Sequence, residues 1–414
     1  MNIFYIILLF IFAIPTSSIV LPQDFKEVMD NTVIHDTGTT TSEDVAVIKS
    51  DSDIKGSHFN LVENLNAAEI LNSPEYDDVT SYFFAYYTEG KSDTLMKAAL
   101  LESELNVVPE PEPLKFLFFG DIMLDRYVKT IIERNRVDYI FSDLKAVNFF
   151  DNRDLISANL EGAVTNGGEH YKPIHSNDFA FSPEVIDSIK DYGFNFFSIS
   201  NNHLSDQGDI GIKETETNLS ALGINYSGCR DGLVDECSVR IVEINGKKIG
   251  MLGLSMVYSK LDLDKLSDTV NNLAKETDLI FANVHWGIEY VHQFNQQQQI
   301  FAHKLIDLGV DIIVGHHPHV VQGMEMYKNK PIFYSLGNFV FDQYFSQATQ
   351  TGLALGMELK DDNLSILFHP FKSNITKPIL LTDDDKSNFL AQYIQWSTLN
   401  PEQIDQVKDG GIKL

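Results

Sequence analysis

The sequence is short of basic residues. Its 414 positions carry 31 lysines and arginines against 59 aspartates and glutamates, a formal net charge of −28. Phosphate backbones and anionic membrane surfaces repel such a chain, which argues against nucleic acid and disfavours adhesion to an anionic membrane surface. The shortage is sharpest between Leu21 and Pro113, where no arginine occurs and five lysines face 19 acidic residues. Membrane-spanning length is lacking too. The apolar run from Ile3 to Ile14 falls short of the roughly 20 residues a crossing helix needs. It has the length of a signal-peptide core, with Pro15-Thr16-Ser17-Ser18 behind it. No lysine or arginine precedes it and no Ala-x-Ala follows, so residues 1–19 read as a signal peptide or as an uncleaved anchor. Both readings place the rest outside the cytoplasm, secreted or held at the membrane. No cysteine follows the run closely, which removes a lipid-attachment signal. There are two cysteines, Cys229 and Cys237. An exported compartment permits a disulfide between them, and the intervening Asp231-Gly232 offers a turn to close it. Two separate thiols are the alternative.

What is present divides the chain. Residues 30–57 are rich in Thr, Ser and Asp and read as weakly ordered. Leu61, Leu65, Ala68 and Leu71, then Leu95, Ala98 and Leu101, lie at helical spacing and predict short helices. Pro109-Glu110-Pro111-Glu112-Pro113 is a stiff spacer. Residues 20–113 are therefore expected to form an acidic extension, poorly ordered or partly helical, that ends in a proline-rich linker. Residues 376–414 are expected to form a helical tail.

Between them, over 114–375, apolar strand-like runs alternate with helical patterns. Strands are predicted at 115–119, 155–160, 194–199, 279–284 and 311–314. Helices are predicted at 183–192, 211–222, 266–276 and 296–308. Asn245-Gly246 marks a hairpin between 239–244 and 248–254. Further strand pairs are expected at 324–327 with 332–335 and at 353–359 with 364–370. This alternation argues for an α/β core with much parallel pairing, and the hairpins make the sheets mixed.

Five of these strands end in residues able to bind metal or move protons: Asp121, Glu161, Asn202 with His203, His285, and His317 with His319. In open α/β sheets that edge is where ligands bind. Oxygen donors suit hard cations, and imidazoles suit zinc, manganese or iron. Asp121 and Glu161 also fit turn or cap roles. Asp206 is expected to order the Asn202-His203 loop. Trp286 and Tyr290 either wall a pocket or pack, and Glu289 is a pocket residue or a loop charge. His58, His170, His175 and His369 read as ordinary surface residues.

Six segments together carry a resemblance. They are Gly120-Asp121-Ile122-Met123-Leu124, Asn159-Leu160-Glu161-Gly162, Asn201 through Gly208, His285-Trp286-Gly287-Ile288-Glu289-Tyr290, Gly315 through Gln322, and Tyr334 through Phe339. In this order over residues 115–375 they resemble the CapA/PgsA family of capsule-synthesis proteins associated with poly-γ-glutamate. The resemblance implies a layered α/β/β/α metallophosphoesterase-like sandwich of two mixed sheets flanked by helices. It implies one or two divalent ions (Mn, Zn or Fe) on Asp121, Glu161, Asn202, His285, His317 and His319, with His203 as general acid. Catalytic roles would fall to His203 and Asp121. Metallophosphoesterases place a histidine where this chain has Met123, and the family often has an arginine where Ser182 follows Phe181. Arg126 and Lys172 are then the candidates for an anionic substrate, beside Trp286, Glu289 and Tyr290. The implied partners are an anionic capsule polymer or its precursor and a membrane synthase complex. A subunit that keeps the fold and turns nothing over is the alternative.

Overall fold

The computed structural model describes residues 45–50, 59–65 and 82–86, and residues 112–414 save positions 176 and 362. The chain divides into two compact units, Met1–Glu110 and Pro111–Leu414. In the first, Phe59–Leu65, Val45–Ser50 and Tyr82–Tyr86 form an antiparallel three-stranded sheet in that order. The helix expected from Leu61 is thus a strand as far as Leu65. The Ile3–Ile14 run, His58 and the Leu95–Leu101 helix lie outside the described residues. Among the described residues no helix is long and apolar enough to cross a membrane.

The second unit is built on two mixed sheets. The first runs Lys377–Leu380, Asn363–Asn374, Thr351–Lys360, Leu114–Ile122, Leu155–Leu160, Phe194–Ser198, Asn225–Ser227, with Asn338–Val340 beside Leu114–Ile122 and Gly411–Lys413 beside Asn363–Asn374. Its last four members in that run are parallel, and its other neighbours antiparallel except Asn338–Val340. The second runs Val239–Ile244, Lys247–Ser255, Leu279–His285, Ile312–His316, Lys330–Leu336, Val321–Tyr327, with a parallel centre and antiparallel flanks.

Side-chain alternation fixes the layers. In Leu114–Ile122, Phe116 and Phe118 point at the second sheet, where both meet Phe281, at ring distances of 5.1 and 4.7 Å. Leu117 and Phe119 point the other way. That outer face is covered by the Arg126–Ala146 and Pro183–Lys190 helices, through Val128, Ile140, Phe141, Ile186 and Ile189. The outer face of the second sheet is covered by the Leu263–Glu276 and Gln296–Leu308 helices, through Leu266, Val270, Ala302 and Leu305. The result is the four-layered α/β/β/α sandwich expected over 114–375.

Residues 376–414 carry the expected helices, Asp383–Trp396 and Pro401–Lys408, but are not a tail. The short strands Lys377–Leu380 and Gly411–Lys413 both hydrogen-bond to Asn363–Asn374. Phe389, Leu390 and Tyr393 pack into the core between the sheets. Burial of these three side chains, not helix propensity, holds the segment in place.

Cys229 and Cys237 form a disulfide with Cα atoms 5.3 Å apart, across a separation of eight residues. Closing a loop of this length restricts the unfolded chain by about 2.5 kcal/mol. Cys229→Ser/Cys237→Ser is therefore expected to melt about 5 °C lower than the parent. Scanning calorimetry with and without reductant checks this, since the double variant should no longer respond to the reductant.

Candidate metal centre

The parallel strands of both sheets end at one edge, and their last residues meet there. Gly120 sits where the backbone of Leu114–Ile122 runs against that of Gly337. A Cβ on it would lie 1.8 Å from the Gly337 carbonyl oxygen, so only glycine allows this approach. Asp121 N donates to that same oxygen at 3.0 Å, which fixes the aspartate at the sheet edge.

Asp121 and Glu161 are both fully buried, two carboxylates in one side-chain cluster. Asn159 stands between them. Its Nδ2 donates to Asp121 Oδ1 at 2.8 Å, and Glu161 Oε2 lies 3.4 Å away. The same nitrogen is 3.3 Å from His285 Nδ1, while Asn159 Oδ1 accepts from Asn201 Nδ2 at 3.1 Å. Since an amide nitrogen only donates, the free lone pair of His285 faces Asn159 and its Nε2 donates to Asn202 Oδ1 at 2.8 Å.

The histidine loop closes the other side. His319 Nδ1 donates to Asn338 Oδ1 at 2.9 Å, which leaves Nε2 to face Glu161 Oε1 at 3.6 Å. His316 Nδ1 is 3.5 Å from Asp121 Oδ1, and His317 N donates to Asp121 Oδ2 at 3.3 Å. His203 approaches from the first sheet. Its Nδ1 is held by Asp206 Oδ2 at 2.8 Å, its ring lies tilted against Phe179 at 4.3 Å, and Nε2 is 3.6 Å from Glu161 Oε1. Asp206 also accepts from Phe179 N, the loop-ordering role expected of it.

The electrostatics follow from burial and neighbours. Burial would raise the Asp121 carboxyl, but His316 and His319 hold it well below the ordinary carboxylate range. Glu161 is pushed up to about 7 by burial, an effect that His319 opposes and the Asp121 charge reinforces. Burial depresses His285, with His317 adding to the effect, and it lowers His317 to about 4, with His319 adding. His319 goes the other way: burial opposes its proton, but Glu161 and Asp121 override that and raise it to about 9. His203 is raised too, because Asp206 and Glu161 outweigh its burial.

Three buried polar atoms here have no hydrogen-bond partner: Glu161 Oε1, His316 Nδ1 and His317 Nδ1. Unpartnered polar atoms of this kind in one buried cluster fit a cation. Two sets of donors come within 4.8 Å of one another, Asp121 with Glu161 and His285, and Glu289 with His317 and His319. Mixed oxygen and nitrogen donors suit zinc, manganese or iron. The residues present therefore fit a divalent metal.

The six expected ligands and His203 all come together. The expected substrate residues do not share one fate. Tyr290 walls the site: its ring stacks 6.2 Å from His319, and Gln343 Nε2 donates to its hydroxyl at 3.3 Å. Arg126 borders it over the Phe179 ring at 5.0 Å, yet its charge is already matched by a bidentate pair with Asp342. Lys172 is exposed, and no hydrogen bond or ion pair joins it to the cluster among the described residues. Trp286 is 1% exposed, donates Nε1 to Tyr334 O at 2.9 Å and packs in the second sheet's outer core, so it offers no face to a ligand. Met123 is fully buried with its sulfur accepting from Asp125 N at 3.1 Å, so it serves the turn. Two histidines expected at the surface are not free there. His170 bridges Asp125 and Asp178 at 2.8 and 3.0 Å, and His369 is half-buried against Phe149. Tyr334 to Phe339 reads from sequence as architectural, with Asn338 able to hydrogen-bond a neighbouring loop, and Asn338 does bond His319 and Thr349; Asn159 and Asn201 lie inside the quoted segments with no role assigned from sequence.

Comparison with known proteins places this arrangement. The profile of the family described as bacterial capsule synthesis protein PGA_cap matches residues 115–343. The capsule biosynthesis protein CapA of Bacillus anthracis is 32% identical over 277 residues, 62% of this chain and 67% of that protein. The PGA biosynthesis protein CapA of Bacillus subtilis (strain 168) is 32% identical over 292 residues, 65% of this chain and 72% of that protein. Among solved structures, a hypothetical protein from Thermus thermophilus superposes with a TM-score of 0.38 at 13% identity, covering 64% of this chain and 96% of that one. A profile match across more than half the chain, on the segments that build the cluster, means that this protein belongs to the bacterial capsule synthesis PGA_cap family.

Proposed function

We propose that this protein is a metal-dependent hydrolase of phosphoester or amide bonds that serves the synthesis, export or anchoring of an anionic capsule polymer such as poly-γ-glutamate. The observation that carries the reading is the convergence of buried Asp121, Glu161, His285, His317 and His319, with half-buried Asn202 bonded to His285, around unpartnered Glu161 Oε1 and His317 Nδ1. Those six residues would hold the ion or ions. A divalent metal there supplies a water of lowered pKa and polarises the oxygen of the bond to be broken.

The chain's own groups do the rest. Asp121, an anion, and the neutral His317, whose Nδ1 has no partner, present lone pairs without first losing protons; His285 is neutral too, and an ion would take its lone pair from the Asn159 amide. His203 is oriented by Asp206 so that Nε2 faces the cleft, and its raised proton affinity suits it to protonate a leaving oxygen or nitrogen. Tyr290, raised to about 12 by burial and Glu289, stays a neutral donor at the mouth. The chain's charge of −28 opposes a polyanion, so attraction must come from within the cleft. Export is part of the proposal: the Ile3–Ile14 run and the Cys229–Cys237 disulfide support a site of action outside the cytoplasm. The polymer or its precursor, and a membrane synthase, are the partners this reading names.

The test compares metal content of the full chain with that of Asp121→Asn/His317→Ala, which removes one donor from each set. Elemental analysis is expected to find near-stoichiometric metal in the parent and almost none in the variant. Hydrolysis of a p-nitrophenyl phosphoester and of a γ-glutamyl peptide is expected to need added Mn2+, Zn2+ or Fe2+. A folded parent that binds no metal and cleaves neither substrate would establish the non-catalytic subunit instead.

A further inference from the structure

We infer that Glu289 is a metal ligand, and that with His317 and His319 it holds a second ion beside the one on Asp121, Glu161 and His285. The inference rests on the metal-dependent reading above and adds to it a ligand that the sequence pattern left as a substrate contact or a loop charge.

Three observations carry it. The first is proximity, since one donor atom from each of Glu289, His317 and His319 lies within 4.8 Å of the other two. The second is how Glu289 gets there. Its loop is tied to the histidine loop on both sides, by Trp286 N to His316 O at 3.1 Å and by Tyr290 N to Pro318 O at 2.8 Å. Tyr290, His317 and His319 hold φ of 66°, 97° and 58°. Three side chains with a Cβ in the left-handed region, on two loops that bond each other, is conformational strain of about 1–3 kcal/mol each. Two of the three, His317 and His319, are buried with their rings in the cluster, and the third adjoins Glu289.

The third is the hydrogen-bond pattern. Asn338 holds His319 through its Nδ1 hydrogen, so Nε2 is the atom an ion would take, displacing a proton there, and the 4%-exposed His317 has an unpartnered Nδ1. Buried acceptors beside an exposed carboxylate lack a donor, and a cation supplies the missing charge. Two imidazoles and one carboxylate make a common ligand set for zinc, with a position left open for water. Met123 is buried with its sulfur turned to Asp125 N and gives this set nothing, and Glu289 is the set's one anionic donor.

The test is ion stoichiometry on the full chain. Protein stripped with a chelator is dialysed against Mn2+ or Zn2+, and bound metal is counted by elemental analysis beside Glu289→Gln and Glu289→Asp. The parent is expected to take two ions. Glu289→Gln should take one at the concentration that fills both in the parent, a loss of at least tenfold in affinity for the second. Glu289→Asp should recover part of it. Glu289 is exposed, so neither change threatens folding, and circular dichroism confirms that. A parent and a Glu289→Gln variant that bind the same number of ions with equal affinity would overturn the inference and leave the metal-dependent reading standing. A parent that binds none would overturn both.

Discussion

Gly120→Ala is expected to destabilise the Pro111–Leu414 unit by at least about 3 kcal/mol, although it adds a single methyl group. The added Cβ would sit 1.8 Å from the Gly337 oxygen, 2.9 Å from its carbonyl carbon and 3.2 Å from the Leu336 carbonyl carbon. All three are backbone atoms, so no rotamer relieves the clash. Relief requires the Leu114–Ile122 strand to move off Gly337, which breaks the Asp121 N to Gly337 O bond and the Asn338 to Asp121 register. Gly337 is also where the chain passes from Lys330–Leu336 in one sheet to Asn338–Val340 in the other. The substitution therefore strains the seam between the sheets and shifts Asp121 against Asn338, the residue that orients His319. Gly246→Ala is the control. Its φ of +79° costs about 1–2 kcal/mol, but nothing lies within 4 Å of the added Cβ. Urea unfolding of both variants decides the matter. If Gly120→Ala loses no more than Gly246→Ala, the close approach is not what holds that edge. Metal content should fall with Gly120→Ala and stay at the parent's value with Gly246→Ala.

That seam also shows what the sequence could and could not tell. The strands that carry the site were legible because each is a buried apolar run ending in a polar residue. Leu155–Leu160 has the predicted bounds, and Ile312–His316 differs from prediction by one or two residues at each end. The convergence of seven side chains from both sheets followed from their strand-end positions. The Arg126–Ala146 helix was not legible. Its buried residues form two stripes, Val128, Ile131 and Ile132, then Val137, Ile140, Phe141 and Leu144, and the second is out of phase with the first. Arg136, at φ 66°, breaks the helix between them, so no single period of 3.6 runs through it. The short strands Lys377–Leu380 and Gly411–Lys413 hold too few residues to show alternation, so residues 376–414 read as helix alone. Asn159 and Asn201 were silent for a different reason. Asn159 matters because parallel register puts it beside Asp121 on one side and Ser198 on the other. Asparagine is common in turns, and only pairing between distant strands reveals such a residue as a hub.

His369 makes the unit sensitive to acid at a place remote from the cluster's ligands. It was expected at the surface, but its ring meets Phe149 edge-on at 5.0 Å and its Nε2 has no partner. Burial lowers its pKa to about 4, and Lys386 and Arg153 add to the effect. A histidine that titrates near 6.5 when unfolded and near 4 when folded binds fewer protons in the native state between those values. Stability from the neutral ring is fully present above pH 6.5 and is lost as pH falls toward 4, by on the order of 3 kcal/mol in all. His369→Leu keeps a similar volume and cannot take the proton. The gap between parent and variant is expected to move by that amount in favour of the variant from pH 7 to pH 4, as read from urea midpoints at each pH. His317 also falls to about 4, and acid weakens it too, but it is present in both proteins and cancels in the difference. His319, raised to about 9, loses its contribution only as pH rises, in a separate window. Parallel stability curves for parent and variant would show that the ring takes its proton without cost. Acid would then have to act on the unit through other groups, with the buried strand-end cluster the first place to look.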